Sequence, residues 1–262
     1  MTKTSLALVC AGLLFIPATQ AHTPYLKPLS FEPVSRGTIT LDASFAEQFF
    51  VPEVAISNAH FDVETPDGKR APVDTVVDLK TRNVLEQATE QEGTYRFSTG
   101  KRMGAIFRIY ELNGERGSVR GNDEPLPEGA VLTEHFQSVT SAVTYVTKKG
   151  PTDTVLTARG EGLELVPHTH PNGLFSGDTF NFVLTYDGKP VADEKVTLYL
   201  ASDQFSEESD FQTLTTSANG NASATLPSQG LYLLQARIKA PAPKDAGVPV
   251  YSYTTTLTLE AF

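Results

Sequence analysis

Apolar and polar side chains alternate along most of this chain, and no run of ten residues or more carries a helical face. Gly37-Thr38-Ile39-Thr40-Leu41-Asp42-Ala43 alternates as a half-buried strand should. His60-Phe61-Asp62-Val63-Glu64 does the same, with Phe61 and Val63 facing a core, and ends in the turn Pro66-Asp67-Gly68-Lys69. Residues 73–79, 94–97, 105–112 and 142–146 predict further strands. Residues 113–130, rich in Gly, Pro and charge, predict a long loop that is either functional or disordered.

Residues 148–162 read as a junction, with Val155-Leu156 a candidate short strand. Beyond it the pattern becomes more regular. Strands are expected at 163–166, 179–186, 195–200, 211–216, 221–226, 231–238 and 251–259, and Asp187-Gly188 marks a tight turn. Many short strands at this spacing predict an antiparallel sandwich. The expected fold is therefore all-β, with two immunoglobulin-like β-sandwich domains at residues 22–150 and 161–262 and helix confined to short turns.

The first 21 residues read as a cleaved signal peptide: Lys3, an apolar run over residues 6–16, and Thr19-Gln20-Ala21 as the cleavage site. The expected location is the periplasm. The apolar run is too short to span a bilayer and nothing later approaches that length, so the chain is not expected to be membrane-embedded. Cleavage would remove Cys10, the only cysteine, which leaves nitrogen and oxygen as metal donors. A zinc ribbon, an iron–sulfur cluster and a blue-copper centre are thereby excluded. It would also remove Lys3, taking the net charge from −10 to −11, which argues against nucleic-acid and anionic-membrane partners.

Cleavage after Ala21 makes His22 the first residue, with a free α-amine beside its imidazole. Two nitrogens on one residue can chelate copper, nickel, cobalt or zinc. The familiar amino-terminal copper and nickel motif needs a deprotonated amide at the third residue, but that residue is Pro24, which has no N–H. Any site therefore combines the His22 amine and ring with side chains from elsewhere. His168 and His170 are two residues apart between Pro167 and Pro171, so in an extended backbone they share a face. His60 and His135 complete the histidine inventory as further candidate ligands. The acidic run Asp203, Glu207, Glu208 and Asp210 lacks the spacing of a calcium loop and reads as a solvated tip. No nucleophile elbow, phosphate-binding glycine loop or His-Glu-x-x-His motif is present, so no catalytic residue is assigned.

The segments Ala21-His22-Thr23-Pro24-Tyr25-Leu26-Lys27-Pro28 and Leu41-Asp42-Ala43-Ser44-Phe45-Ala46-Glu47 resemble an exported bacterial family described as NikM-like and associated with nickel and cobalt uptake. Leu163-Glu164-Leu165-Val166-Pro167, Pro171-Asn172 and Tyr186-Asp187-Gly188-Lys189-Pro190-Val191 extend the likeness into the second half. The resemblance implies a periplasmic β-sandwich accessory to a membrane metal-uptake system, with His22 the leading ligand and His170 in the tightest part of the pattern. Two other readings remain open from the sequence. One is a scaffold or binding module of the cell envelope without metal; the other is a copper oxygenase built on a histidine brace, which requires a second imidazole beside His22.

Overall fold

The computed structural model describes residues 22–33, 37–202 and 212–262. The expected signal peptide and the acidic run at 203–210 lie outside the described residues. The first half contributes β1 (Thr23–Pro28), β2 (Thr38–Ala46), β3 (Asp62–Glu64), β4 (Arg70–Pro72) and β5 (Thr75–Asp78). It continues through β6 (Asn83–Ala88), β7 (Gly93–Ser98), β8 (Arg102–Leu112), β9 (Glu115–Arg120) and β10 (Val131–Lys148). After a 3-10 turn at Thr154–Leu156 come β11 (Leu163–Pro167), β12 (Thr179–Tyr186), β13 (Lys189–Pro190) and β14 (Lys195–Leu200). The chain closes with β15 (Gln212–Thr215), β16 (Asn221–Thr225), β17 (Gly230–Pro241) and β18 (Val250–Ala261).

These strands form three sheets, and the fold is all-β as the alternation predicts. Strands β1-β2-β6-β5 make one sheet, and β11, β12, β13 and β16 make another. Between them runs a ten-stranded sheet ordered β15-β14-β17-β18-β10-β7-β3-β4, with β8 paired to β10 and β9 to β8. Strands from both halves of the sequence are thus joined in one sheet, through the parallel pairing of β10 with β18. The other strand ladders are antiparallel.

The central sheet is covered on both faces, each over a different part of its width. Ile39, Leu41 and Leu85 of the first sheet pack with Tyr95, Phe97 and Val146 on one face. On the other face Leu165, Phe180 and Phe182 pack with Tyr145, Leu234 and Leu257. Alternate residues along β10 therefore serve different cores: Ala142 and Val146 one, Val143 and Tyr145 the other. A third cluster, Tyr25, Ala46, Phe49 and Leu233, seats β1 against β17. The Thr256 hydroxyl donates to the Pro24 carbonyl (2.8 Å) and the Gln235 amide to the Thr23 hydroxyl (2.8 Å).

A buried charge network fixes the connection between β10 and β11. Arg96 and Glu164 are 3% and 6% exposed and pair at 3.2 Å. The Glu164 carboxylate also accepts the backbone N–H groups of Arg159 (3.0 Å) and Gly160 (2.7 Å). Arg159 in turn pairs with Asp62 (2.8 Å) and Glu64 (3.0 Å), and Arg70 with Asp62 (2.9 Å). Asp62, on the polar side of its strand, is thus paired and buried rather than solvated.

Several elements differ from the sequence expectation. The stretch 113–130 is not loop throughout, because β9 occupies much of its first half. Asn113 and Gly114 both have positive φ (54° and 81°), as a two-residue primed hairpin requires. Val155-Leu156 lies in the 3-10 turn rather than a strand. Strand β10 is 18 residues long where only 142–146 was legible.

One turn yields a direct stability test. Gly220 has φ of +75°, and a Cβ there would sit 2.6 Å from the Leu184 carbonyl oxygen. Gly220→Ala is expected to destabilise the protein by about 2 kcal/mol in urea unfolding. A change below about 0.5 kcal/mol, the size of an ordinary surface effect, would contradict this packing.

Candidate metal centre

His22 immediately precedes β1, whose Thr23 pairs with Ala46 at the far end of β2. The chain then turns back through residues 47–54, and the mutual Phe45–Val54 backbone bonds (2.8 and 3.2 Å) close this turn. Closure brings Glu53 beside His22. The carboxylate is held at both oxygens: Oε1 accepts the Glu47 backbone N–H (2.9 Å), and Oε2 lies 2.9 Å from His22 Nε2. Both side chains are partly open to solvent, at 44% and 32%.

This contact has a chemical consequence for the ring. An ionised carboxylate only accepts hydrogen bonds, so the proton of the neutral imidazole belongs on Nε2 and the lone pair on Nδ1. Nδ1 is the ring nitrogen that closes a chelate with the residue's own α-amine. A carboxylate behind the distal N–H is the usual partner of a metal-binding histidine, fixing its tautomer and raising its basicity. If cleavage frees the amine from Ala21, the amine and Nδ1 of His22 are two nitrogens of a type that suits a divalent transition metal.

The other four histidines do not converge there. His170 is half-buried and fully engaged. Its Nδ1 faces both the Asn172 N–H (3.1 Å) and the Asn172 carbonyl (3.2 Å), and its Nε2 lies 2.9 Å from the Thr94 hydroxyl. Thr94 meets Thr147 (3.0 Å), whose hydroxyl donates to Asn172 Oδ1 (2.9 Å), and the Asn172 amide donates to the Tyr145 carbonyl (3.1 Å). That closed circuit leaves His170 no lone pair for an ion. His168 is exposed, held by its backbone N–H to the Asn181 carbonyl (2.8 Å). His60 is exposed and bonds through its backbone N–H to Thr99 (3.2 Å). The His135 ring donates from Nε2 to Asn122 Oδ1 (2.9 Å).

Distances along strands keep these groups apart. His135 and Thr147 lie on the same strand with twelve residue steps between them, roughly 40 Å at ~3.3 Å per residue. His22 stands at one end of β1, whereas the Thr147 backbone N–H bonds Phe31 beyond the other. Among the described residues no three His, Cys, Asp or Glu side chains group as a metal requires. The sequence marked His22 but not Glu53, whose neighbours Pro52 and Val54 carry no ligand signal.

A separate cavity of about 40 Å³ opens between the halves, lined by Arg96, Ser98, Lys101, Ser141, Glu164 and Tyr253 among others. At roughly 10–15 Å³ per water it holds a few waters and no sizeable substrate. Burial first, and then the neighbouring Tyr186 hydroxyl, pushes the Tyr253 hydroxyl well above its ordinary range. Arg96 Nε is buried without a protein partner beside this polar space, which water would satisfy.

Comparison with solved structures finds the D0-D1 domain of Intimin at 12% identity and a TM-score of 0.22, covering 90% of this chain and 97% of that one. The Yersinia pseudotuberculosis adhesin InvE is similar at 12% identity and a TM-score of 0.22, covering 90% and 58%. Likenesses this weak carry no argument about fold or function. No curated protein matches the chain. The model of a family described as a domain of unknown function, DUF4198, matches residues 19–240, well over half the sequence, and the chain belongs to that family.

Proposed function

We propose that the exported, processed chain binds one divalent transition-metal ion through the α-amine and Nδ1 of His22 and serves as a periplasmic accessory in metal uptake. The observation that carries this reading is the 2.9 Å contact between His22 Nε2 and the anchored Glu53 carboxylate, which leaves Nδ1 as the free ring donor. Two protein nitrogens do not fill a coordination sphere. The remaining positions stay open to water or to a carrier's ligands, which suits hand-over of an ion better than its burial as structural cement. The NikM-like resemblance favours nickel or cobalt, while the general stability order favours Cu(II) over both at a nitrogen site. Selectivity would then rest on supply. The reading takes the chain as an accessory rather than the membrane component; no helix among the described residues is long and apolar enough to cross a membrane.

Glu53→Ala in protein beginning at His22 tests the reading. Losing an outer-shell carboxylate should weaken metal binding by about 10–100-fold. Because the pair is partly exposed, the stability of the metal-free protein should change by less than about 1 kcal/mol. Unchanged affinity for Cu(II) and Ni(II) would remove the basis of the proposal. A scaffold or binding module without metal is the second reading. It is favoured by the closed hydrogen-bond circuit of His170, which gives the most family-like histidine a structural task.

A further inference from the structure

The outer end of the ten-stranded sheet carries a row of cations and rings on the face that bears the first sheet. Arg120 of β9 lies over the Phe107 ring of β8 (6.0 Å), and Phe107 stacks on Phe136 of β10 (5.6 Å, 28°). Lys239 of β17 stands over Phe136 (5.5 Å) and is already paired with Glu134 (2.6 Å). Lower on β8, Arg102 covers Phe45 (4.9 Å). In a chain of net charge −10, acids are in excess, and Arg70, Arg82, Arg96, Arg116 and Arg159 all have acidic partners. Arg102, Arg108, Arg120 and Arg237 have none among the described residues; Arg108 bonds the Gly121 and Glu124 carbonyls, Arg237 the Thr23 hydroxyl and Arg102 the Ser57 carbonyl. Burial, and then the like charge of Arg120, pushes the Arg102 guanidinium down from its ordinary range. An incoming carboxylate would relieve that repulsion.

Beside these arginines the sheet has an open edge. Among the described residues strand β9 is bonded to β8 alone. Its two-residue hairpin makes Leu112 and Glu115 the first hydrogen-bonded pair, and pairs alternate from there. The backbone N–H and C=O groups of Arg116, Ser118 and Arg120 therefore point outward. Their side chains lie on the cationic face, since Arg116 reaches Glu134 (3.0 Å) and Arg120 reaches Phe107.

We propose that this edge docks an acidic partner protein, which adds an extended segment to β9 and sets its carboxylates over Arg120 and Arg102. Arg120 and Arg102, which have no acidic partner among the described residues, select negative charge. The free main-chain ladder selects a polypeptide over an anionic glycan or lipid, because only a peptide backbone matches the spacing of its N–H and C=O groups.

A labelled peptide of alternating Glu and Val, titrated against isotope-labelled protein at low salt, tests the proposal. Amide shifts should concentrate at Arg116, Ser118 and Arg120, and Arg120→Glu should weaken binding about tenfold. Methylating alternate peptide nitrogens should abolish binding, and a Lys-Val peptide should not bind. Three results would each overturn the proposal: no binding, equal binding by the methylated peptide, or an equal footprint from heparin, which would make the face a general polyanion surface. The peptide comparisons use the unaltered protein, so they decide the matter even if Arg120→Glu misfolds.

Discussion

Glu164→Ala is expected to cost about 3–5 kcal/mol of unfolding free energy, the range for leaving a buried charge without its partner. Domains of ordinary stability hold only about 5–15 kcal/mol, so this one substitution should bring the protein near the edge of folding. Two losses add together. The Arg96 guanidinium, 3% exposed, keeps only its 3.3 Å bond to the Thr157 carbonyl, and the N–H groups of Arg159 and Gly160 lose their acceptor. Glu164→Gln removes the charge but retains an acceptor for those N–H groups, so its own cost relative to the parent reports the lost charge. The further cost of Glu164→Ala reports the lost acceptor. Urea unfolding followed by circular dichroism measures both variants. If Glu164→Ala unfolds within about 1 kcal/mol of the parent, the size of an exposed pair's contribution, the network does not hold the β10–β11 connection.

That network also marks where the sequence stops being informative. Glu164 occupies the polar position of an alternating strand, and alternation alone sends it to solvent. It is buried because Arg96, 68 residues earlier, and the turn at 159–161 close over it, and no local pattern encodes such an encounter. Strands with one buried face were legible: β2 and β12 alternate in sequence, and in burial over residues 38–43 and 179–184. Strand β1 was not, because Pro24 and Pro28 argue against a strand. The prolines are tolerated because β1 is the edge of its sheet. The first part of β10 escaped notice because its residues are half-exposed on both faces and lack a clear alternation. Strand β9 carried its signal openly in Asn113-Gly114, but the charge around it read as loop.

The histidines divide in the same way. His22 was singled out by chemistry, since cleavage after Ala21 would give it a second nitrogen. The His168-x-His170 pair was singled out by spacing, yet spacing cannot reveal that His170 is bonded to Thr94, 76 residues away. Glu53 was invisible for the opposite reason. Nothing in its own neighbourhood marks it, and only the Phe45–Val54 closure carries it to His22.

The other large effect expected is on metal affinity when the amine is displaced. One added residue ahead of His22 turns the α-amine into a peptide nitrogen and moves the new amine out of chelating reach. Every imidazole and Glu53 stay in place. Affinity should fall by about a hundredfold or more, equivalent to roughly 2.7 kcal/mol. In the unextended protein binding should also weaken as pH falls, because protons compete with the ion for the amine and the ring.

Isothermal titration of Cu(II) and Ni(II) into two proteins is the most direct test of the metal site. One protein begins at His22, verified by intact mass, and the other carries a single extra glycine before it. The account predicts one ion bound by the first protein and binding weaker by about a hundredfold or more in the second. Equal affinity in the two, or no binding beyond that of an unrelated acidic protein, would contradict it.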